Sequence, residues 1–312
     1  MKRSIIAIVL AVVLVVGLTA CDNGGGTDEA KVTIGFSVYD MQYEFFQEME
    51  KGTREQAEAF GYDYILHDEK SDETEMVTGA INLIDQGIDA LIISPHKPEA
   101  LSSIVDAAKA KGIPVIVNDI GGGGADYDVI VISDCFGGGE MAADYTVELL
   151  GDDQGSKEVA IIKCETSAVY AIRRGAGYKS AIEAAGFTVV AEITANSKSD
   201  EGYAAMQDIL VANPNIVAVF AENDPMAVGA ANAIADAGRD DIIVIGFNGD
   251  GEAIEAMKDG IMHGTVAQSP YEMGKLTVNL AKKLLAGETL TFGNDAEREI
   301  YADVKMIKMS DV

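Results

Sequence analysis

Polar side chains recur in one kind of place along this chain, the position or two just after a short apolar run. Tyr39 and Asp40 follow residues 32–38, Ser94 follows 91–93, Asp119 follows Val117-Asn118, Asn223 follows Phe220-Ala221-Glu222, and Asn248 follows Gly246-Phe247. Between them they offer carboxylate acceptors, hydroxyls, and amides that donate and accept at once, a set able to hold a ligand by hydrogen bonds. Singly, each Asn or Asp serves equally well as a turn former or a helix N-cap. Together they outline a cleft, because ligands of open α/β sheets bind in the crevice outside the carboxyl ends of the strands.

Bond-breaking chemistry finds less support. The three histidines, His67, His96 and His263, are scattered with no His-Glu-x-x-His spacing, and Cys135 and Cys164 form no zinc pair. A Gly-x-Ser-x-Gly nucleophile elbow is absent. Asp119 and Glu165 could act as a carboxylate pair for glycoside cleavage, yet two carboxylates in a cleft are equally what a binder uses. Asn248-Gly249-Asp250-Gly251-Glu252 lacks the alternating carboxylates of a calcium loop. The glycine run 121–124 has no following Lys-Ser or Lys-Thr for a phosphate cradle and reads as a surface loop. No catalytic residue, metal or cofactor is expected.

The elements that must position these side chains are legible from periodicity. Short β-branched runs at 32–38, 91–93, 115–117, 129–132, 159–162, 217–220 and 242–245 read as buried parallel strands. Amphipathic stretches separate them. In one, Phe46, Met49, Thr53, Ala57 and Phe60 fall at spacings of three or four, closed by Gly61 as a helix stop. The alternation is βαβα, and the same unit occurs in both halves: Gly61-Tyr62 and Gly186-Phe187 each lead into a strand. Two doubly wound α/β lobes follow, with no proline-rich or charged linker between them.

The chain begins with an export signal. Lys2 and Arg3 precede an apolar run over 5–16, shorter than the roughly 18 residues that span a bilayer. Leu18-Thr19-Ala20-Cys21 resembles the bacterial lipobox, which would make Cys21 the lipidated first residue of the mature chain and residues 21–30 a tether. The expected location is extracytoplasmic, with the membrane reached through the Cys21 lipid only. A formal net charge of -28, from 51 Asp and Glu against 23 Lys and Arg, argues against nucleic acid as a partner. Cys135 and Cys164 do not make a disulfide framework and read as separate buried thiols.

Further residues carry a family resemblance. Lys31-Val32-Thr33-Ile34-Gly35-Phe36, Glu44-Phe45-Phe46, Gly61-Tyr62, the segment Ala221-Glu222-Asn223-Asp224-Pro225-Met226-Ala227-Val228-Gly229, Gly246-Phe247-Asn248-Gly249 and Ala267-Gln268 resemble the type I periplasmic sugar-binding proteins of ABC importers, the family of ribose-binding protein. The resemblance runs in one register from about residue 31 to the C-terminus. It implies two Rossmann-like doubly wound lobes joined by three crossing segments, with a sugar enclosed by hinge closure. The N-terminal lobe is expected over 31–133 plus about 269–297, and the C-terminal lobe over about 134–268 plus 298–312.

The same resemblance implies ligand roles at matching positions. Phe45 and Phe46 fall where aromatic rings lie beside the sugar, Phe46 also beginning the helix's apolar stripe. Asp119 matches an acidic acceptor of two hydroxyls, Arg174 a donor from the other lobe, and Asn223 and Gln268 matching amides. The expected ligand-binding set is Tyr39, Phe45, Phe46, Ser94, Asp119, Arg174, Asn223, Asn248 and Gln268. The chain departs from the ribose pattern at Asn248, where an aspartate is usual, at Ile120 in place of an arginine, and at Ser197 near an aromatic position; Tyr39, Tyr43 and His96 are additions. These changes leave the sugar open among hexoses, deoxy or methylated sugars, polyols and autoinducer-2. Capture of a sugar-like ligand by a monomer and delivery to an ABC permease is the implied function, with a sensory receptor as the alternative and a glycoside-cleaving enzyme as a remote one.

Overall fold

The protein is described by a computed structural model for residues 31–151, 155–166 and 168–312. The segments expected to form an export signal and a tether, with Cys21, lie outside the described residues. Within them, no helix is long and apolar enough to cross a membrane.

Five strands, β1 (Thr33–Val38), β2 (Asp63–Asp68), β3 (Ala90–Ile93), β4 (Val115–Asn118) and β5 (Val129–Ser133), pair in parallel, and five more, β6 (Glu158–Lys163), β7 (Thr188–Thr194), β8 (Ile216–Ala221), β9 (Ile243–Asn248) and β10 (Gly264–Ala267), repeat the arrangement in a second sheet. Two short strands complete the sheets: β11 (Glu299–Ala302) lies parallel to β5, and β12 (Lys305–Lys308) antiparallel to β10. The resulting orders, β11-β5-β4-β3-β1-β2 and β12-β10-β9-β8-β6-β7, match strand for strand.

Helices cover both faces of each sheet, which is why the inner strands are apolar throughout rather than alternating. In β3, Leu91 and Ile93 enter the layer formed with α2 (Glu73–Asp85) and α3 (Leu101–Ala110), while Ile92 enters the opposite layer with α1 (Glu44–Ala59). The second sheet is covered by α4 (Cys135–Leu150) and α5 (Val169–Ala184) on one face. On the other lie α6 (Ser199–Ala212), α7 (Asp224–Asp236) and α8 (Gly251–Lys258). The chain then returns to the first lobe, where α9 (Pro270–Leu285) packs on α1. The predicted stripe of α1 is buried at Phe46, Met49, Thr53 and Ala57, and the helix stops at Gly61 with φ +73°.

The chain passes between lobes three times: after β5 at Asp134, after β10 at Gln268-Ser269, and between β11 and β12 at Asp303-Val304. The last crossing corrects the boundary expected at residue 298. Residues 299–302 complete the first sheet beside β5, because an edge strand of four residues is held by its ladder and not by an apolar pattern of its own.

Helix pairs are drawn together by reciprocal glycines. A Cβ built on Gly139 of α4 would lie 2.0 Å from the Arg174 carbonyl oxygen, and one on Gly177 of α5 would lie 2.0 Å from that of Phe136. Gly52 and Gly274 play the same part between α1 and α9, as Gly202 and Gly229 do between α6 and α7. A helical glycine costs roughly 0.5–1 kcal/mol relative to alanine. The close helix approach it permits offsets that cost, and in α5 it fixes the backbone that carries Arg174.

Candidate binding cleft between the lobes

The carboxyl ends of both sheets face one cleft, because every parallel strand feeds its helix from the same edge. One cavity there, of about 310 Å³, draws Asp119, Ile120 and Ser133 from the first lobe and Tyr170 and Arg174 from the second. Another, of about 720 Å³, lies between Phe45 and Glu48 of α1 and the segment from Asn248 to Glu252. Gln268, on a crossing segment, lines both.

Asp119 and Asn248 occupy matching places at the ends of β4 and β9, and both have left-handed backbone, φ +68° and +135°. Non-glycine residues held there cost energy and concentrate at functional sites. Asp119 has no hydrogen-bond partner for its carboxylate among the described residues. Burial pushes that carboxyl up to about 6, with the Arg174 charge pulling the other way.

Arg174 is buried with its guanidinium 4.0 Å above the Phe247 ring. Its Nη1 donates to the Glu222 carbonyl at 2.8 Å and to Asn248 Oδ1 at 3.0 Å, while Nε has no partner among the described residues. Asn248 Oδ1 also accepts from Gln268 Nε2 at 3.0 Å, and Gln268 Oε1 accepts from Ser133 Oγ at 2.9 Å. A continuous chain of hydrogen bonds therefore runs from the end of β5 through the crossing segment to α5. It assigns both amide orientations, since the Asn248 and Gln268 oxygens each face donors.

The backbone around Asn248 is shaped by Asp224, which is buried and accepts from Gly249 N and Asp250 N, each at 2.8 Å, and from Thr265 Oγ1 at 2.7 Å. Burial, with Asp250 nearby, pushes its carboxyl up to about 7. Two more buried acids lie just past strand ends. Glu69 accepts from Ser37 Oγ and His96 N at 2.8 and 2.7 Å, Glu222 from Cys164 N at 2.7 Å, and burial pushes both up to about 7.

The other expected site residues separate. Phe45 faces the larger cavity, whereas Phe46 is buried in the core, with its ring edge-on to Phe45 and stacked on Tyr39 at 5.0 Å. Tyr39 continues the aromatic group to His96 at 5.2 Å and Tyr43 at 6.1 Å. Ser94 lies fully buried with its hydroxyl directed at Met49 Sδ, 3.3 Å away. Asn223 caps α7 through Oδ1, which accepts from Met226 N at 3.2 Å, and its Nδ2 is uncommitted among the described residues. Cys135 and Cys164 are buried and unpaired among the described residues. The glycine run does more than form a surface loop, since Gly121 and Gly123 line the smaller cavity and Gly122 is buried against Tyr127.

Sequence reasoning passed over Ser133, Glu69, Glu222 and Asp224. All four sit at or just past strand ends, so the rule that found Asp119 and Asn248 extends to them. Glu165, considered as one of a carboxylate pair, accepts from Ser197 Oγ at 2.6 Å.

Comparison with known proteins agrees with this architecture. The profile of the periplasmic binding protein domain matches residues 34–289. The ribose import binding protein of Bacillus subtilis is 36% identical over 281 residues, covering 87% of this chain and 90% of that protein. The crystal structure of a periplasmic ribose ABC transporter protein from Conexibacter woesei superposes with a TM-score of 0.81 at 26% identity, covering 92% of this chain and 95% of that one. An ABC transporter solute binding protein from Bacillus halodurans, solved with bound myo-inositol, gives a TM-score of 0.73 at 28% identity, covering 91% and 97%. With two matched sheets, three crossings and a polar cleft at their common edge, the chain belongs to the periplasmic binding protein family and has its type I fold.

Proposed function

We propose that the protein captures a sugar or sugar-like polyol between its lobes and delivers it to an ABC importer. The observation that carries this reading is the pairing of an unpartnered carboxylate, Asp119, with a buried guanidinium, Arg174, brought from opposite lobes to one cavity. A hydroxyl-rich ligand gives Asp119 the donors it lacks and gives Arg174 Nε an acceptor. Hydrogen bonds to such charged groups are worth roughly 1.5–3 kcal/mol each. Gln268, Asn248 and the free Nδ2 of Asn223 supply further amide contacts, and Phe45 offers an apolar face for sugar CH groups. Ser94, Tyr39 and Phe46 support this surface from beneath or beside it.

Closure follows from differential contact. A ligand held by Asp119 alone gains the Arg174 bonds only when the second lobe meets the first. The relatives named above are a ribose import binding protein and two proteins of ABC transporters, which favours delivery to a membrane permease and binding without catalysis. Export and attachment through a lipid on Cys21 would keep the protein, as a monomer, at the outer face of the membrane that holds that permease.

Ribose itself is not required by the cleft. Ile120 presents an apolar side chain to the cavity, and Asn248 a neutral one to Arg174. The test is a thermal-shift screen of the mature chain against D-ribose, D-allose, xylitol, myo-inositol and 6-deoxyhexoses. A stabilising hit is expected, since a ligand at 100 times its Kd adds about 2.7 kcal/mol. No shift with any sugar or polyol would contradict the reading.

A further inference from the structure

The first turn of α5 brings a second aromatic to the cleft. Tyr170 stands four residues before Arg174, so the two share one helix face, and both line the smaller cavity. Although Tyr170 belongs to the second lobe, its ring packs against the first-lobe core layer that holds Tyr127. Its edge lies 3.5 Å from the point where a side chain on Gly121 would begin. Burial pushes its hydroxyl pKa upward, so the group remains a neutral donor.

Arg173 holds this ring in place. Its guanidinium lies 4.6 Å over the Tyr170 ring and grips Glu299 of β11 with both ends, Nη1 to Oε2 at 3.0 Å and Nη2 to Oε1 at 2.9 Å. Glu299 is fully buried in the first lobe, and its Oε2 also accepts from Tyr301 OH at 2.9 Å and Asn294 Nδ2 at 3.2 Å. Burial alone would raise that carboxyl; the Arg173 fork, with Tyr301 and Asn294, outweighs it and keeps the carboxyl below its ordinary value. A two-pronged pair with one partner buried is stronger and more directional than an exposed ion pair. It also spans the lobes, from a helix of the second to an edge strand of the first.

The smaller cavity is two-sided. Glu99, Asp119, Ser133, Arg174 and Gln268 supply its polar groups, while Ile120, Ile132, Val169 and the Tyr170 ring supply apolar surface. We infer that Tyr170 is a further specificity-determining residue, seated by an Arg173–Glu299 clasp that forms as the lobes meet, and that it selects ligands presenting an apolar edge to α5. Within the sugar-binding reading, on which this rests, the favoured class is a deoxy or methyl-bearing sugar over its fully hydroxylated counterpart. A hydroxyl turned toward the face of the Tyr170 ring and its aliphatic neighbours would lose water without gaining a partner, whereas a methyl or CH edge would gain burial.

The test measures Kd by calorimetry for matched sugars, L-fucose against L-galactose and L-rhamnose against L-mannose, with D-ribose as the reference. Wild type is expected to bind one 6-deoxy sugar at least about tenfold more tightly than its hydroxylated partner, the scale of one apolar contact. Tyr170→Ala should remove most of that ratio and Tyr170→Phe retain it; Tyr170→Leu serves if the alanine variant does not fold. Arg173→Gln and Glu299→Gln should each reduce the ratio, and the double variant no further than either single, because the pair acts as a unit. A hydroxylated preference in wild type, or an unchanged ratio in Tyr170→Ala, would overturn the role of Tyr170. An intact ratio in Arg173→Gln would overturn the clasp. Binding of D-ribose with none of these effects would defeat this inference alone, whereas failure to bind any sugar would defeat the functional reading beneath it.

Discussion

Replacing Glu222 by glutamine should stabilise the protein at alkaline pH and leave it nearly unchanged in mild acid. Glu222 is fully buried, with Oε2 accepting from Cys164 N at 2.7 Å and Oε1 without a partner. Burial lifts its carboxyl from 4.5 to about 7, against smaller opposing effects of the Cys164 amide, Lys163 and Arg174. A folded-state value above the unfolded one means the folded protein holds a proton that the unfolded chain has already lost. The stabilising contribution is therefore complete below about 4.5 and is lost as pH rises through about 7. At about 1.4 kcal/mol per pH unit, the interval is worth on the order of 3 kcal/mol. Glutamine keeps the outline and the acceptor for Cys164 but carries no charge to desolvate. Thermal melts at pH 5 and pH 8 should show a gain of on the order of 1–3 kcal/mol at pH 8, or several degrees in Tm, and a much smaller one at pH 5. Equal effects at the two pH values would refute the argument that an ionised Glu222 burdens the fold.

Two further outcomes follow from the geometry of the cleft. Gly139→Ala would drive a Cβ to 2.0 Å from the Arg174 carbonyl, so α4 and α5 must separate; a loss of roughly 1–3 kcal/mol in urea denaturation is expected, together with weaker ligand binding, and wild-type values of both would contradict the contact. Asp119 accepts hydroxyls at both oxygens, and most strongly, when it is ionised, and its carboxyl sits at about 6, so bound ligand lowers its pKa and affinity should be level above that pH. Below it Kd should rise toward tenfold per unit, a dependence that Asp119→Asn removes; a flat profile in wild type would exclude Asp119 from the contact.

How far the chain announces this structure depends on the kind of interaction. The central strands are covered on both faces, so β1, β3, β4, β5, β6, β8 and β9 stand out as unbroken apolar runs. By contrast β10, β11 and β12 are four residues each and owe their pairing to neighbours brought from elsewhere, which no local pattern records. Polar residues past strand ends pointed to the cleft, since strand polarity alone carries them there. Direction was legible only in part: Phe46 begins the apolar stripe that carries it into the core, whereas nothing local shows that Ser94 turns its hydroxyl toward Met49. The Arg173–Glu299 pair stayed hidden because it joins positions 126 residues apart across the two lobes, and the packing of Tyr170 on the first-lobe layer because it too crosses between lobes. The helical glycines, locally unfavourable, acquire their reason only when the facing helix is known.

The most direct test of the central claim, one ligand bridged by charged groups from both lobes, is a calorimetric double-variant cycle with the best sugar from the screen. Arg174→Ala and Asp119→Asn should each weaken binding roughly 10- to 100-fold. Their combination should cost less than the product, because a ligand that has lost one anchor no longer holds the lobes together for the other. Full affinity in either single variant, or strictly independent losses in the double, would contradict a ligand held between Asp119 and Arg174.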